Sequence, residues 1–140
     1  MKGYLLDTNV VSELIKPRPN PGLAAWILSV DEEICFLSVL TTGEIRKGIN
    51  LLPASARRSL LEVWLERELS ARFSGRILAI DRGVADKWGQ LTAEVSSKRK
   101  LLPVVDGLIA ATALQHDLML VTRNTNDIEL TRVPVLNPWS

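Results

Sequence analysis

Acidic and amide side chains recur in this sequence near points where an apolar segment ends or a helical pattern begins. They are Asp7, Glu44, Asp106, Asn124 and Asp127. Carboxylates that lie close together repel one another, so their ionised forms need a cation. Oxygen ligands without histidine or cysteine suit Mg²⁺ or Mn²⁺. Such a site can activate water and offset charge on a phosphate, which is the chemistry of phosphodiester hydrolysis.

The sequence offers little for other hydrolytic chemistries. His116 is the only histidine and falls near a predicted helix end, where a capping or surface role is favoured over catalysis. Cys35 is the only cysteine and lies inside an apolar run, so it fits a core position better than a nucleophile. The sequence contains no glycine-rich phosphate loop and no Gly-x-Ser-x-Gly motif.

Apolar runs and helical spacings alternate along the chain, and they define the elements that must position these side chains. Buried strands are predicted at residues 4–6, 34–37, 77–80 and 118–121, with a short last strand at 133–136. Helices are predicted at about 8–16, 23–30, 38–52, 55–73, 82–97 and 105–115. This alternation predicts an α/β protein with three layers, in which a mainly parallel sheet is covered on both faces. One domain is expected over residues 1–140, and Pro134 should confine the last strand to a sheet edge.

The predicted topology brings the acidic side chains to one edge of the sheet, because residues that follow parallel strands share that edge. Asp7 ends the first strand and is expected there, although a role as a simple helix cap is an equal alternative. Glu44 lies beside the apolar stripe of its helix and is not expected on the fully solvated side. Asp106 is in the first turn of a helix and in register with apolar residues.

Composition excludes some classes of protein. The chain has 140 residues, and 46% of them are hydrophobic, which is ample for a core. The formal net charge of +1 is uninformative, although a dedicated nucleic-acid binder is often far more basic. No apolar stretch approaches the ~20 residues of a membrane span, and no signal peptide is recognisable, so a cytoplasmic protein is expected. The short basic clusters Arg46-Lys47, Arg57-Arg58 and Lys98-Arg99-Lys100 favour solvated helix faces, with a phosphate track as the alternative.

Four stretches occur in order and at fitting intervals: Leu-Asp-Thr-Asn-Val-Val-Ser-Glu at 6–13, Ser-Val-Leu-Thr-Thr-Gly-Glu-Ile at 38–45, Asp-Gly-Leu-Ile-Ala-Ala-Thr-Ala at 106–113, and Leu-Val-Thr-Arg-Asn at 120–124 with Asp127. The ending Val-Leu-Asn-Pro-Trp at 135–139 fits the same pattern. Together they resemble the PIN-domain ribonuclease toxins of the VapC family, in particular the FitB-like branch. The resemblance spans nearly the whole chain.

The resemblance implies a role for each acidic position. Asp7, Glu44 and Asp106 correspond to the triad that binds the divalent metal, Mg²⁺ with Mn²⁺ as a substitute. Asn124 stands where many relatives have a fourth acidic residue, and it offers a carbonyl oxygen without a charge. Asp127 is expected to supply a carboxylate through water. The implied activity is an endoribonuclease, the toxin of a type II toxin–antitoxin pair.

The resemblance also implies partners: a VapB-like antitoxin, RNA as substrate, a toxin homodimer, and a larger assembly with antitoxin and operator DNA. The antitoxin is expected to lie in an apolar groove between two helices and to direct an arginine toward the acids. One wall of the groove is Val11, Leu14 and Ile15, and the other is Ile45, Ile49 and Leu52. Two alternatives stay open. One is a structure-specific DNA nuclease with the same carboxylates, and the other is a non-catalytic antitoxin-binding co-repressor.

Overall fold

Five parallel strands form one sheet in the computed structural model, which describes all 140 residues. The strand order is β3-β2-β1-β4-β5, and every neighbouring pair is parallel. The strands are β1 Gly3–Leu6, β2 Cys35–Ser38, β3 Ile77–Leu78, β4 Leu118–Val121 and β5 Val135–Leu136. The predicted parallel sheet is confirmed.

Seven α-helices surround the sheet, and none has both the length and the apolar character needed to cross a membrane. They are α1 Thr8–Leu14, α2 Pro21–Ser29, α3 Val39–Asn50, α4 Ala56–Val63, α5 Ser70–Arg72, α6 Arg82–Ser97 and α7 Val104–Gln115. Side-chain caps begin several of them. Asp81 accepts a hydrogen bond from Val84 N–H at 2.9 Å, which confirms it as the cap of α6.

Neighbouring strand residues point into two separate cores. Leu6 and Val121 pack in the core beneath α1, α2, α3 and the segment around α5. Leu5 and Leu120 pack in the other core, beneath α6 and α7. Strands buried on both faces need apolar residues at consecutive positions, which is the pattern of β1 and β4. The expected three layers are therefore present.

Strand β5 lies at the edge of the sheet and pairs only with β4. Pro134, just before it, has no N–H to donate, but its carbonyl accepts from Leu120 N–H at 2.9 Å. The edge position predicted from Pro134 is confirmed, and the strand is shorter than the predicted 133–136.

The helix predicted over residues 55–73 forms, but its centre is a π-helix, Trp64–Leu69, which joins α4 to α5. The Ser70 hydroxyl donates to the Leu65 carbonyl at 3.2 Å within this stretch. The wider turn keeps Leu65 and Leu69, four residues apart, on one buried side. Amphipathic spacing alone does not reveal such a local change of pitch.

Candidate active site

The carboxyl ends of β1, β2 and β4 meet at one edge because β1 lies between the other two. Asp7 follows β1 directly, and its N–H donates to the Val121 carbonyl at the end of β4, at 2.9 Å. Helix α3, which carries Glu44, begins directly after β2, and its cap is the buried Ser38. Open α/β sheets bind ligands at this edge.

Both carboxylate oxygens of Asp7 accept hydrogen bonds. Oδ1 accepts from Thr8 N–H at 2.8 Å, and Oδ2 accepts from the Thr122 hydroxyl at 2.8 Å. A cap normally accepts from the second or third residue of its helix, whereas Thr8 is the first residue of α1. Asp7 therefore caps α1 in an unusual way and also joins β1 to the end of β4 through Thr122. Burial raises the pKa of its carboxyl, the two hydrogen bonds lower it, and nearby Glu44 raises it again.

Thr122 is fully buried, and its hydroxyl is the centre of a hydrogen-bond network at this edge. Its hydroxyl donates to Asp7 and accepts from Asn9 Nδ2 and from the Asn124 backbone N–H, both at 3.1 Å. All its donor and acceptor capacity is used. Asn9 also accepts from Arg123 N–H at 3.2 Å, so the network fixes Asp7 and the start of the following loop together. Sequence reasoning missed the roles of Thr122 and Asn9.

Glu44 is exposed, so the expectation that it avoids the solvated side of its helix was wrong. It shares that side of α3 with Leu51, which is 76% exposed, because this side faces away from the core. One contact holds the Glu44 carboxylate toward the site: the Thr8 hydroxyl donates to Oε1 at 2.6 Å. The hydroxyls of Thr8 and buried Thr41 lie 3.2 Å apart, which positions Thr8. After Thr122 and Asn9, Thr8 is the third residue whose contacts at this edge sequence reasoning missed.

Asp106 lies in the first turn of α7, as predicted, and is partly buried. Burial raises the pKa of its carboxyl, and the neighbouring charges of Asp7, Asp127 and Glu44 raise it further. The structure therefore brings together carboxylates from four separate segments. Asn124 follows β4 with an exposed side chain, and only its backbone N–H bonds to the network.

The carboxylates are close enough to repel but are not a ready set of three ligands. No group of three or more His, Cys, Asp or Glu side chains is placed to hold one metal ion. Direct coordination by Asp7, Glu44 and Asp106 together therefore stays a prediction. Mg²⁺ is commonly held by one or two carboxylates and keeps several waters, and this oxygen-only donor set fits that mode of binding.

His116 and Cys35 take the positions expected from the sequence. His116 is the C-cap of α7. Cys35 is fully buried in β2, and burial raises the pKa of its thiol to about 11. A thiol that stays protonated at neutral pH is a poor nucleophile.

A cavity of about 270 Å³ lies under α1 on the face opposite α6 and α7. Its lining is mostly apolar, with Glu32, Glu68 and Arg72 as the charged members. The apolar lining residues are Leu6, Val11, Leu14, Ile15, Ile27, Cys35, Trp64, Leu69 and Phe73. The expected wall from α1 is present, but the opposite wall was wrongly assigned. Ile45 and Ile49 are buried in the core, Leu52 does not line the cavity, and the π-helical segment forms this wall instead.

Comparison with known proteins gives consistent matches. Residues 4–135 match the family model of the PIN domain. Toxin FitB of Neisseria gonorrhoeae is 40% identical over 135 residues, covering 96% of this chain and 97% of that protein. VapC ribonuclease Y4jK of Sinorhizobium fredii is 37% identical over 135 residues, covering 96% of each.

Solved structures of similar proteins have the same fold. The crystal structure of FitAcB from Neisseria gonorrhoeae superposes with a TM-score of 0.92 at 40% identity, covering 97% of this chain and 98% of that chain. VapBC2 from Rickettsia felis, bound to a DNA fragment from its promoter, has a TM-score of 0.81 at 20% identity and shows a similar fold. The chain therefore belongs to the PIN-domain family, among its VapC and FitB members.

Proposed function

We propose that this chain, acting as a single PIN domain, is a metal-dependent endoribonuclease and the toxin of a type II toxin–antitoxin pair. The observation that carries the proposal is the meeting of Asp7, Glu44, Asp106 and Asp127 at one sheet edge. Burial, and after it the neighbouring negative charges, raise the pKa of Asp7 and Asp106, an arrangement with no evident structural benefit. Relatives named as ribonucleases and as a toxin support the activity and the biological role.

The proposed cofactor is Mg²⁺, with Mn²⁺ as a substitute. Asp7 and Asp106 would hold the ion and Glu44 would complete the acidic set. Bound there, a divalent ion would activate water and offset charge on the scissile phosphate and the leaving oxygen. Asn124 and Asp127 would orient water or substrate.

Two threonines act through the carboxylates they contact. Thr122 holds Asp7 in one rotamer with its oxygens directed by two hydrogen bonds. Thr8 holds the otherwise exposed Glu44 toward the same edge. Their hydroxyls pre-organise the acidic side chains before metal or substrate arrives.

The proposed partners are an antitoxin, RNA, a second toxin chain and, through the antitoxin, operator DNA. Similar chains have been solved as FitAB bound to an IR36 DNA fragment and as DNA-bound VapBC, which supports such an assembly. The antitoxin would fill the apolar cavity. Leu6, which lines that cavity, directly precedes Asp7, so a bound segment would end close to the acids. The proposed substrate places the protein in the cytoplasm.

Inhibition would combine blocked RNA entry with loss of the metal, because an arginine of the antitoxin could pair with the carboxylates in two parallel hydrogen bonds. This makes a competition claim. Raising Mg²⁺ or Mn²⁺ should weaken inhibition more than an equal ionic strength of monovalent salt does. The mechanism is wrong if an antitoxin without basic residues in that segment inhibits equally and divalent ions have no effect beyond salt.

The proposed function is tested by incubating antitoxin-free protein with a panel of RNAs and DNAs, with Mg²⁺, with Mn²⁺ and with a chelator. We expect internal cleavage of RNA that requires the divalent ion. Preferential cleavage of DNA would instead establish the DNA nuclease. Absence of cleavage alongside tight binding of antitoxin and operator would establish the non-catalytic co-repressor.

A further inference from the structure

Three consecutive positive charges, Lys98, Arg99 and Lys100, follow the C-terminus of α6. All three side chains belong to exposed residues, and none forms an ion pair. By contrast, Arg46 and Arg72 each pair with a glutamate. The three residues are here called the basic tract, and no carboxylate neutralises their charges.

Contacts at both ends tie the basic tract to the two segments that carry Asp127 and Asp106. Lys98 Nζ donates to the Leu130 carbonyl at 3.2 Å, in the 3-10 turn that directly follows Asp127. Two residues after the tract, the Leu102 side chain packs so closely on α7 that a Cβ at Gly107 would lie 3.1 Å from it. Gly107 is the neighbour of Asp106. The tract thus lies between the segments that carry Asp127 and Asp106.

The backbone of the tract is a tight helix end with an unusual residue at its turn. Arg99 has φ of 56°, and its N–H donates to the Ser96 carbonyl at 2.9 Å. Lys100 N–H donates to the Val95 carbonyl at 3.3 Å, which completes a Schellman motif. Glycine is the usual residue at this left-handed position, and a side chain there costs roughly 1 kcal/mol. Arginine is therefore not the residue that stability alone favours.

We propose that the basic tract binds phosphates of the RNA substrate that lie near the scissile phosphate on the same strand. This inference rests on the proposed ribonuclease function. The carboxylates at the sheet edge repel a polyanion, and cations on an adjoining segment offset that repulsion. An acidic segment of the antitoxin is the alternative polyanionic ligand for the basic tract. RNA is favoured because the cavity assigned to the antitoxin lies on the opposite face of the sheet from α6.

The test variant combines Arg99→Gly with Lys100→Gln. Glycine suits the left-handed backbone, so the fold should be kept and α6 should end at least as stably. Lys98 is left intact because it bonds to Leu130. The matched control combines Arg57→Gln with Arg67→Gln, which removes two exposed, unpaired charges from the opposite face of the sheet.

The probe is a short, fluorescently labelled single-stranded RNA of mixed sequence. Binding is followed by anisotropy over a range of salt concentrations, with a chelator present to prevent cleavage. Each phosphate contact on a single strand contributes about 0.7 to the slope of log affinity against log salt. The tract variant should therefore lose about 1.4 from the slope and bind about 25-fold more weakly near 0.1 M salt. In cleavage assays its KM should rise while kcat is largely retained.

The control variant should match the wild type in slope and KM. The proposal is overturned if the tract variant keeps the wild-type slope while the wild type cleaves RNA, and the proposed function then survives. It is also overturned if both variants weaken equally, or if the tract variant loses affinity for the antitoxin and not for RNA. Failure of the wild type to cleave any RNA in the presence of Mg²⁺ would instead remove the proposed function.

Discussion

Replacing Asp106 by asparagine should stabilise the metal-free protein at neutral pH. The carboxyl has its pKa raised by burial and by the charges of Asp7, Asp127 and Glu44. Each interaction between partly exposed charges is worth roughly 0.2–1 kcal/mol. With solvent screening, the loss of three repulsions should add about 1 kcal/mol to the free energy of unfolding. For a domain of this size that is roughly 3–5 °C in Tm.

The stabilisation must depend on pH with a definite sign. Because the pKa of Asp106 is raised above 3.8 on folding, the folded protein holds the proton more tightly than the unfolded chain. The destabilisation caused by the ionised Asp106 carboxyl is absent below pH 3.8, where the carboxyl is protonated in both the folded and the unfolded protein. It grows as the pH rises through 3.8 and then through the raised pKa of the folded protein. The advantage of Asp106→Asn should therefore be full near pH 7 and shrink steadily in acid.

The assay is thermal unfolding with a chelator present, between about pH 4 and pH 8. Glu33→Gln is the control, because Glu33 is exposed, forms no ion pair and precedes β2 at the other end of that strand. Its Tm should stay near that of the wild type. Asp7→Asn should be less stable than Asp106→Asn, because the amide has one acceptor oxygen and can keep only one of the two hydrogen bonds that Asp7 accepts. An Asp106→Asn protein no more stable than the wild type at pH 7 would refute the reasoning.

Three further outcomes are expected. Asn124→Asp should tighten Mn²⁺ binding in calorimetric titration by adding a charged ligand beside the acids; unchanged or weaker binding would show that position 124 does not face the metal. Asn20→Ala should lower the free energy of unfolding, measured in urea, by about 1 kcal/mol. The Asn20 side chain accepts hydrogen bonds from Gly22 N–H and Ser140 N–H, both at 3.0 Å, and alanine cannot. An unchanged urea midpoint would contradict this. Cys35, buried with a pKa of about 11, should react with iodoacetamide at neutral pH only after unfolding, and rapid labelling of the native protein would contradict its assigned burial.

The elements of the fold were predictable because their signals are local. Consecutive apolar residues in β1 and β4 reflect burial on two faces, and Pro134 marks the edge strand. Asp81 and the turn containing Asp106 were also correctly placed as helix starts. The order of strands in the sheet was not predicted, because it depends on pairings between residues far apart in the chain.

The acidic residues of the site were predictable, but the groups that hold them were not. Thr8 was interpreted as a helix-starting residue, and only the fold shows that its hydroxyl meets Glu44, 36 positions away. Thr122 offered a usable signal, since a threonine next to a buried apolar strand must satisfy its hydroxyl. Its partner, Asp7, lies 115 positions away and could not be identified from spacing.

The lining of the cavity was also only partly predictable from the sequence. Its α1 wall follows from the apolar spacing of Val11, Leu14 and Ile15. Its second wall was assigned to α3 because that helix has an equally clear apolar stripe. The apolar side chains of α3 pack in the core, and Trp64 and Leu69 of the π-helical segment line the cavity instead. Apolar spacing identifies a buried side but not its neighbour.

The central claim is that the acidic sheet edge is a metal-dependent ribonuclease site. Its most direct test is the rate of RNA cleavage by purified, antitoxin-free protein as Mg²⁺ is titrated, compared among the wild type, Asp106→Asn and the charge control Glu33→Gln. The wild type and Glu33→Gln should show the same saturable dependence on Mg²⁺, and Asp106→Asn should be inactive while still folded. Cleavage by Asp106→Asn at the wild-type rate, or cleavage unaffected by a chelator, would contradict the account.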